Sequence, residues 1–75
     1  MTLIAPRISV DPQVCHGKPV IEGTRVLVSV VVGAVAAGDS FQVIAREYGV
    51  TPEDVQAALD YAAKRLEEEI VRAAP

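Results

Sequence analysis

A mainly α-helical protein with a short N-terminal β-hairpin and a three-helix, helix-turn-helix core is the fold class this sequence predicts. Three observations carry that expectation. β-Branched residues and turn formers crowd the first 27 residues, apolar residues recur at helical spacing from residue 41 onward, and helix-start signals stand at Ser40 and Thr51. The 75 residues are read as a single domain, 1–75, with a β-hairpin region at 1–27 and a helical region at 28–75.

Taken in order, "RISV" alternates Ile8 and Val10 with polar neighbours, and "KPVIEGTRVLV" runs Val20 and Ile21 into Thr24, Arg25 and Val26 across the turn signal Glu22-Gly23. Two or three short strands are expected here, lying on helices or on another subunit, because a lone hairpin is barely stable in water. Val28 to Ala37 shows no polar face and ends at Gly38-Asp39, which predicts a helix buried nearly all round, with a buried strand competing for its valine-rich first half. Ser40 is placed to cap a second helix in which Phe41, Ile44, Ala45 and Tyr48 share a face, and Gly49 to close it in the left-handed conformation. In "VTPED", Thr51 is the N-cap of a third helix, Pro52 its first residue, and Glu53 and Asp54 its dipole-favoured acids. Val55, Leu59, Ala62, Leu66 and Ile70 then recur at helical spacing to the C-terminal region.

A domain this small removes only about 60% of its unfolded surface from water. Yet 51% of the residues are hydrophobic and the mean hydropathy is +0.31, so part of that apolar surface is expected to be covered by a second chain, most simply in a twofold homodimer. A single cysteine makes no internal disulfide, the N-terminus lacks a signal-peptide pattern, and the longest apolar run is broken by Ser29 and Gly33. It falls well short of the roughly 20 residues that span a bilayer. A cytoplasmic protein without a membrane partner is expected.

The placement of charge bears on function more than the net value of −3. Residues 1–40 balance Arg7, Lys18 and Arg25 against Asp11, Glu22 and Asp39, and residues 61–75 balance Lys64, Arg65 and Arg72 against Glu67, Glu68 and Glu69. The surplus therefore falls at 41–60, where Arg46 stands against Glu47, Glu53, Asp54 and Asp60. This same stretch fits a helix-turn-helix: Ala45 lets two helices approach, Gly49 turns the backbone, and Val50 and Val55 fill the angle. Its geometry suits a DNA reader and its charge does not, because Glu53, Asp54 and Asp60 would face the bases beside Gln56 and Ala57. Gln56 is the residue there suited to an adenine edge. DNA contacts are expected instead from Arg7, Lys18, Thr24 and Arg25 in the hairpin region, doubled by a dimer, with Gln56 as the helix's own contribution.

The turn-rich stretch "HGKPVIEGTRV", residues 16–26, bears on the remaining possibilities. It is no phosphate loop, since Pro19 replaces the hydroxyl residue and the first glycine is missing. Cys15 and His16 are the only two soft ligands, so a zinc site would need two chains. As neighbours on an extended segment they would point apart and share no proton. A small buried thiol beside a turn histidine is expected, with no cofactor, no metal and no catalytic residue.

What remains is a hairpin with polar residues spaced for contact, and here "ISVDPQVCHGKPVIEGTRVLVSVVVGAVAAGDSFQVIAREYGVTPEDVQAAL" resembles the small prokaryotic family known as domain of unknown function 433. The resemblance covers roughly residues 8–63 and rests on Asp11-Pro12, Gly17-Lys18-Pro19 and Gly23-Thr24-Arg25. Where many members carry a double glycine, this chain has His16-Gly17, a less free backbone. The resemblance implies a β-hairpin followed by a homeodomain-like helical domain, usually dimeric. It also implies an antitoxin role with a toxin of PIN-like nuclease fold as partner. The leading expectation is therefore a non-enzymatic type II antitoxin, a dimer that binds such a toxin and represses its own operator DNA through its basic hairpin face. Such a nuclease holds a metal among carboxylates, so its inhibitor would offer cations. Lys18 and Arg25 are candidates, as are Arg65 and Arg72, for which a solvated helix face is the simpler reading. The alternative is a stand-alone helix-turn-helix DNA-binding transcriptional regulator; an enzyme finds no support in 75 residues without an acid-base pair.

Overall fold

The structure, a computed structural model, describes the backbone of residues 1–73 and the side chains of residues 1–68. It is mainly helical, with a small antiparallel sheet at the N-terminus. Strands β1 (Thr2–Ala5), β2 (Ile8–Val10) and β3 (Val20–Ile21) pair in the order β1-β2-β3. β1 and β2 form a hairpin whose turn places Arg7 at φ 65°, with a register shift between Leu3 and Ala5. Helices α1 (Val28–Ala36), α2 (Phe41–Tyr48) and α3 (Pro52–Ala73) follow.

The expected hairpin across Glu22-Gly23 takes a different form. Val20 and Ile21 pair with Ser9 and Ile8 of β2 rather than with a strand at 24–26. The 22–26 segment returns as a loop tied back at its ends, by the Ile21 N–H to the Val26 carbonyl (2.9 Å) and a single bridge from Val20 to Leu27. Thr24 holds the loop from inside: its hydroxyl donates to the Ile21 carbonyl (2.8 Å) and accepts from the Val26 N–H (3.0 Å).

Ser40 and Thr51 cap α2 and α3 as the sequence predicts. The Ser40 hydroxyl accepts from the Val43 N–H (3.2 Å) and Gly49 closes α2 at φ 70°. At α3 the Asp54 N–H donates to the Thr51 hydroxyl (3.0 Å) while the Thr51 N–H donates to Asp54 Oδ2 (3.0 Å), a reciprocal capping box. The core gathers Ile8 and Ile21 from the sheet, Val28 and Val31 from α1, Ile44 from α2, and Val55 and Ala58 from α3.

α1 is a helix, not a strand, but it is not buried nearly all round. Only Val28 and Val31 are buried within this chain; Ser29, Gly33 and Ala36 are exposed and Val30 is 39% exposed. α2 and α3 pack on one face of α1, where Val28 and Val31 join the core, and the other face is left open within this chain. No helix among the described residues is long and apolar enough to cross a membrane.

Candidate functional site

The residues singled out for contact fall into three places. Arg7 leaves the β1-β2 turn and reaches the first turn of α3, where its guanidinium Nη1 donates to Asp54 Oδ1 at 3.0 Å. Asp54 is 14% exposed and so holds the Thr51 cap and the Arg7 cation together. Burial raises the pKa of its carboxyl, but the Thr51 N–H and the Arg7 guanidinium outweigh burial and hold it below the ordinary carboxylate value. Sequence alone placed Arg7 among free cations and Asp54 among free anions. At 47 residues' separation no local pattern links them, although the three-residue step from Thr51 to Asp54 does signal the capping box.

The outer face of α3 is quieter than its composition implies. Gln56 Nε2 donates to Asp60 Oδ1 (3.1 Å), one turn along the helix, so its amide is engaged by its own helix. Glu53 is exposed, Ala57 half-buried, and Asp54 committed to Arg7. Glu53 and Asp60 thus remain as exposed acids beside Gln56.

The second place is the segment Cys15–Gly17, a turn rather than an extended stretch. Its three residues all have positive φ, at 50°, 58° and 80°, so the chain adopts the left-handed conformation even where the side chains are Cys and His. The Gly17 N–H donates to the Val14 carbonyl (3.0 Å) and the Lys18 N–H to the Cys15 carbonyl (3.1 Å). Cys15 is half-buried rather than buried, and its thiol makes a long contact, 3.5 Å, to the Arg25 carbonyl. That contact draws together the two halves of the motif carried by Lys18 and Arg25. Both of those side chains are exposed, and neither has an ion-pair partner among the described residues. The Thr24 hydroxyl is occupied within its loop.

The third place is an open groove of about 680 Å³ between α1 and the distal half of α3. Leu27, Val32, Tyr61 and Ala62 line it together with the small residues Ser29 and Gly33, and Lys18 and Arg65 are its charged residues. Lys18 and Arg65, 47 positions apart in sequence, are brought to one groove; Arg25 instead lines a separate depression with Asp11 and Thr24. Arg65 also donates to Glu68 Oε2 at 3.3 Å. The side chain of Arg72 lies outside the described residues.

This geometry can be set beside known proteins. The family described as "Protein of unknown function (DUF433)" matches residues 8–62. The chain belongs to this family. As a DUF433 protein it is 43% identical over 53 residues to a Mycobacterium tuberculosis (strain ATCC 25618 / H37Rv) protein named "Putative antitoxin VapB45", an alignment covering 71% of this chain and 22% of that one. It is also similar to the crystal structure of Rv2018 from Mycobacterium tuberculosis, with a TM-score of 0.65 and 42% identity over 69% of this chain and 24% of that chain. The DUF433 chain described here thus spans less than a quarter of the length of these relatives. The DUF433 match excludes β1, Arg7 and the distal part of α3.

Proposed function

We propose that this chain is the antitoxin of a type II toxin-antitoxin pair: a non-enzymatic, cytoplasmic homodimer, each chain one domain, that binds a PIN-like nuclease toxin and represses its own operon. The observation that carries this reading is the 43% identity to a relative named as an antitoxin, over a stretch that makes up 71% of this chain. Lys18 and Arg25 are exposed on two loops joined by the Cys15-to-Arg25 contact, which suits them to an acidic metal cleft. Arg65 and Arg72 are secondary candidates. In the operator complex the hairpin region supplies the phosphate contacts from Lys18 and Arg25. Arg7 supports α3 from behind through Asp54, while Thr24 shapes the loop and Gln56 adds at most one base contact.

The test is genetic and physical together. The neighbouring reading frame, expressed alone, should arrest growth; co-expression with this chain should relieve the arrest, and the two proteins should co-purify. Changing Lys18 and Arg25 together to Glu should abolish both effects. Rescue undiminished by that change would remove the hairpin cations from the interface, and a harmless neighbour would remove the antitoxin reading.

One observation favours a second reading, a stand-alone transcriptional regulator with a homeodomain-like helix-turn-helix. Ala45 is buried in α2, Gly49 is left-handed, and Val50 and Val55 are packed at or against the core, as that motif requires. A gel shift on the chain's own promoter separates the two. Loss of binding in Glu53→Gln with Gln56→Ala, but not in Lys18→Glu with Arg25→Glu, would favour α3 as the reader. Asp54 stays intact in this test because it caps the helix.

A further inference from the structure

Asp11-Pro12 and Gly23-Thr24-Arg25 stand on either side of β3 in the sequence, and in the fold they meet. Asp11, Gly23, Thr24 and Arg25 line one open depression of about 320 Å³. It lies on the sheet face turned away from the core. Ile8 and Ile21, a register pair, point into the core, so the next pair, Ser9 and Val20, points the other way; both of these line the depression. Only 1% of Ser9 is exposed, yet its hydroxyl has no hydrogen-bond partner among the described residues. No described side-chain polar atom is both sealed from solvent and unpartnered, so this hydroxyl opens into the depression. It is a polar group on the floor of a pocket, and nothing in the chain satisfies it.

What each polar group has left to offer points to the occupant. The Thr24 hydroxyl is engaged within its own loop. Asp11 Oδ1 accepts from the Gln13 N–H at 2.9 Å, whereas Oδ2 lies 3.8 Å from the Met1 nitrogen, beyond hydrogen-bond reach, and is left as an acceptor. Arg25 is exposed and has no ion pair among the described residues. A guanidinium fork and a free hydroxyl suit a carboxylate. Asp11 opposes a bare anion but accepts from a peptide N–H. An acidic residue on its own backbone meets all three demands, and Val14 and Val20 give its aliphatic stem an apolar wall.

We propose that this depression is the socket for one aspartate or glutamate of the partner protein, whose carboxylate meets Arg25 and the Ser9 hydroxyl while its backbone N–H donates to Asp11. The inference rests on the toxin-binding reading above and gives Arg25 its specific contact. Lys18 lines the separate groove between α1 and α3 and takes no part. Apart from Met1, every residue lining the socket falls within the family match.

NMR titration of the isotope-labelled full chain with N-acetylglutamate methylamide, which carries both a carboxylate stem and peptide N–H groups, tests it. The amide signals of Ser9 and Gly23 and the Nε–H signal of Arg25 should move together and saturate. Binding should be about tenfold tighter than for the glutamine analogue or for acetate, the scale of one charge-assisted hydrogen bond. Arg25→Gln should abolish saturation and Ser9→Ala should weaken it severalfold, with the remaining signals in their wild-type places. Shifts that do not saturate, equal binding of the glutamine analogue or of acetate, or saturation that survives Arg25→Gln would overturn the socket. Tighter binding of diethyl phosphate would overturn it too and give the depression to a nucleic-acid backbone. A harmless neighbouring reading frame beside a saturating probe would remove the antitoxin reading and leave the acid-binding socket standing.

Discussion

Asp54 sits where three demands meet: a helix N-terminus, a capping threonine and an arginine from the other end of the chain. Its pKa is lowered on folding, so the stability it contributes is present above the ordinary carboxyl value of 3.8 and is lost as pH falls below it. Urea unfolding followed from pH 7 to pH 3 should show that acid limb in the wild type, and Asp54→Asn should flatten it while lowering stability at pH 7. The same scale explains His16. Left-handed backbone costs a non-glycine residue about 1–2 kcal/mol, and His16 is exposed at φ 58°. His16→Gly should therefore raise the unfolding free energy by about 1 kcal/mol, less the added flexibility of the unfolded chain, measurable as a higher urea midpoint. Only part of each setting was legible in the sequence: Asp54 was readable as a first-turn acid three residues after Thr51, and the turn at His16 from its neighbours, but not the long-range bridge or the left-handed backbone at His16 itself. The Asp54 bridge joins positions far apart, and a left-handed conformation is uncommon for any residue but glycine; here the turn hydrogen bonds from Gly17 to Val14 and from Lys18 to Cys15 close around His16.

At the scale of elements, legibility follows locality. The caps at Ser40 and Thr51, the left-handed Gly49 and the shared face of Phe41, Ile44, Ala45 and Tyr48 are all set within a few residues, and each was readable from spacing. The partner of β3 and the covered face of α1 depend on which surface meets which. An all-apolar run says that α1 wants cover on every side without saying that this chain supplies only one. Lys18 and Arg65 meeting at one groove is a fact of the same kind. α2 is the element most dependent on the core it helps to form, because it is short and contributes the fully buried Ile44. Ile44→Ala should cost about 2–5 kcal/mol. In a domain whose whole stability is on the order of 5 kcal/mol, that leaves little native population, and the loss should show as a collapsed amide-exchange protection of α2 and of the α3 segment packed on it.

For the whole molecule, the apolar excess and the small size are one problem seen twice. A chain that exposes a valine-rich helix and a leucine on its longest helix is stabilised by whatever covers them, and mass action makes that cover depend on concentration. The thermal midpoint of the wild-type chain should rise with protein concentration, by differential scanning calorimetry over a hundredfold range. The charge map changes in the same view. The segment 41–60 holds the surplus of acid in the sequence, but in space Arg7 joins it and one of its carboxylates is neutralised. The reluctance of α3 to approach DNA is therefore weaker than the linear tally implies, and Glu53 and Asp60 carry what is left of it.

The clasp between Arg7 and Asp54 has a mechanical corollary. It fastens the tip of the first hairpin to the mouth of the long helix, so drawing one away from the other breaks this ion pair. Anything that peels the ribbon outward strips a counterion from the helix start, and anything that competes for that carboxylate loosens the ribbon.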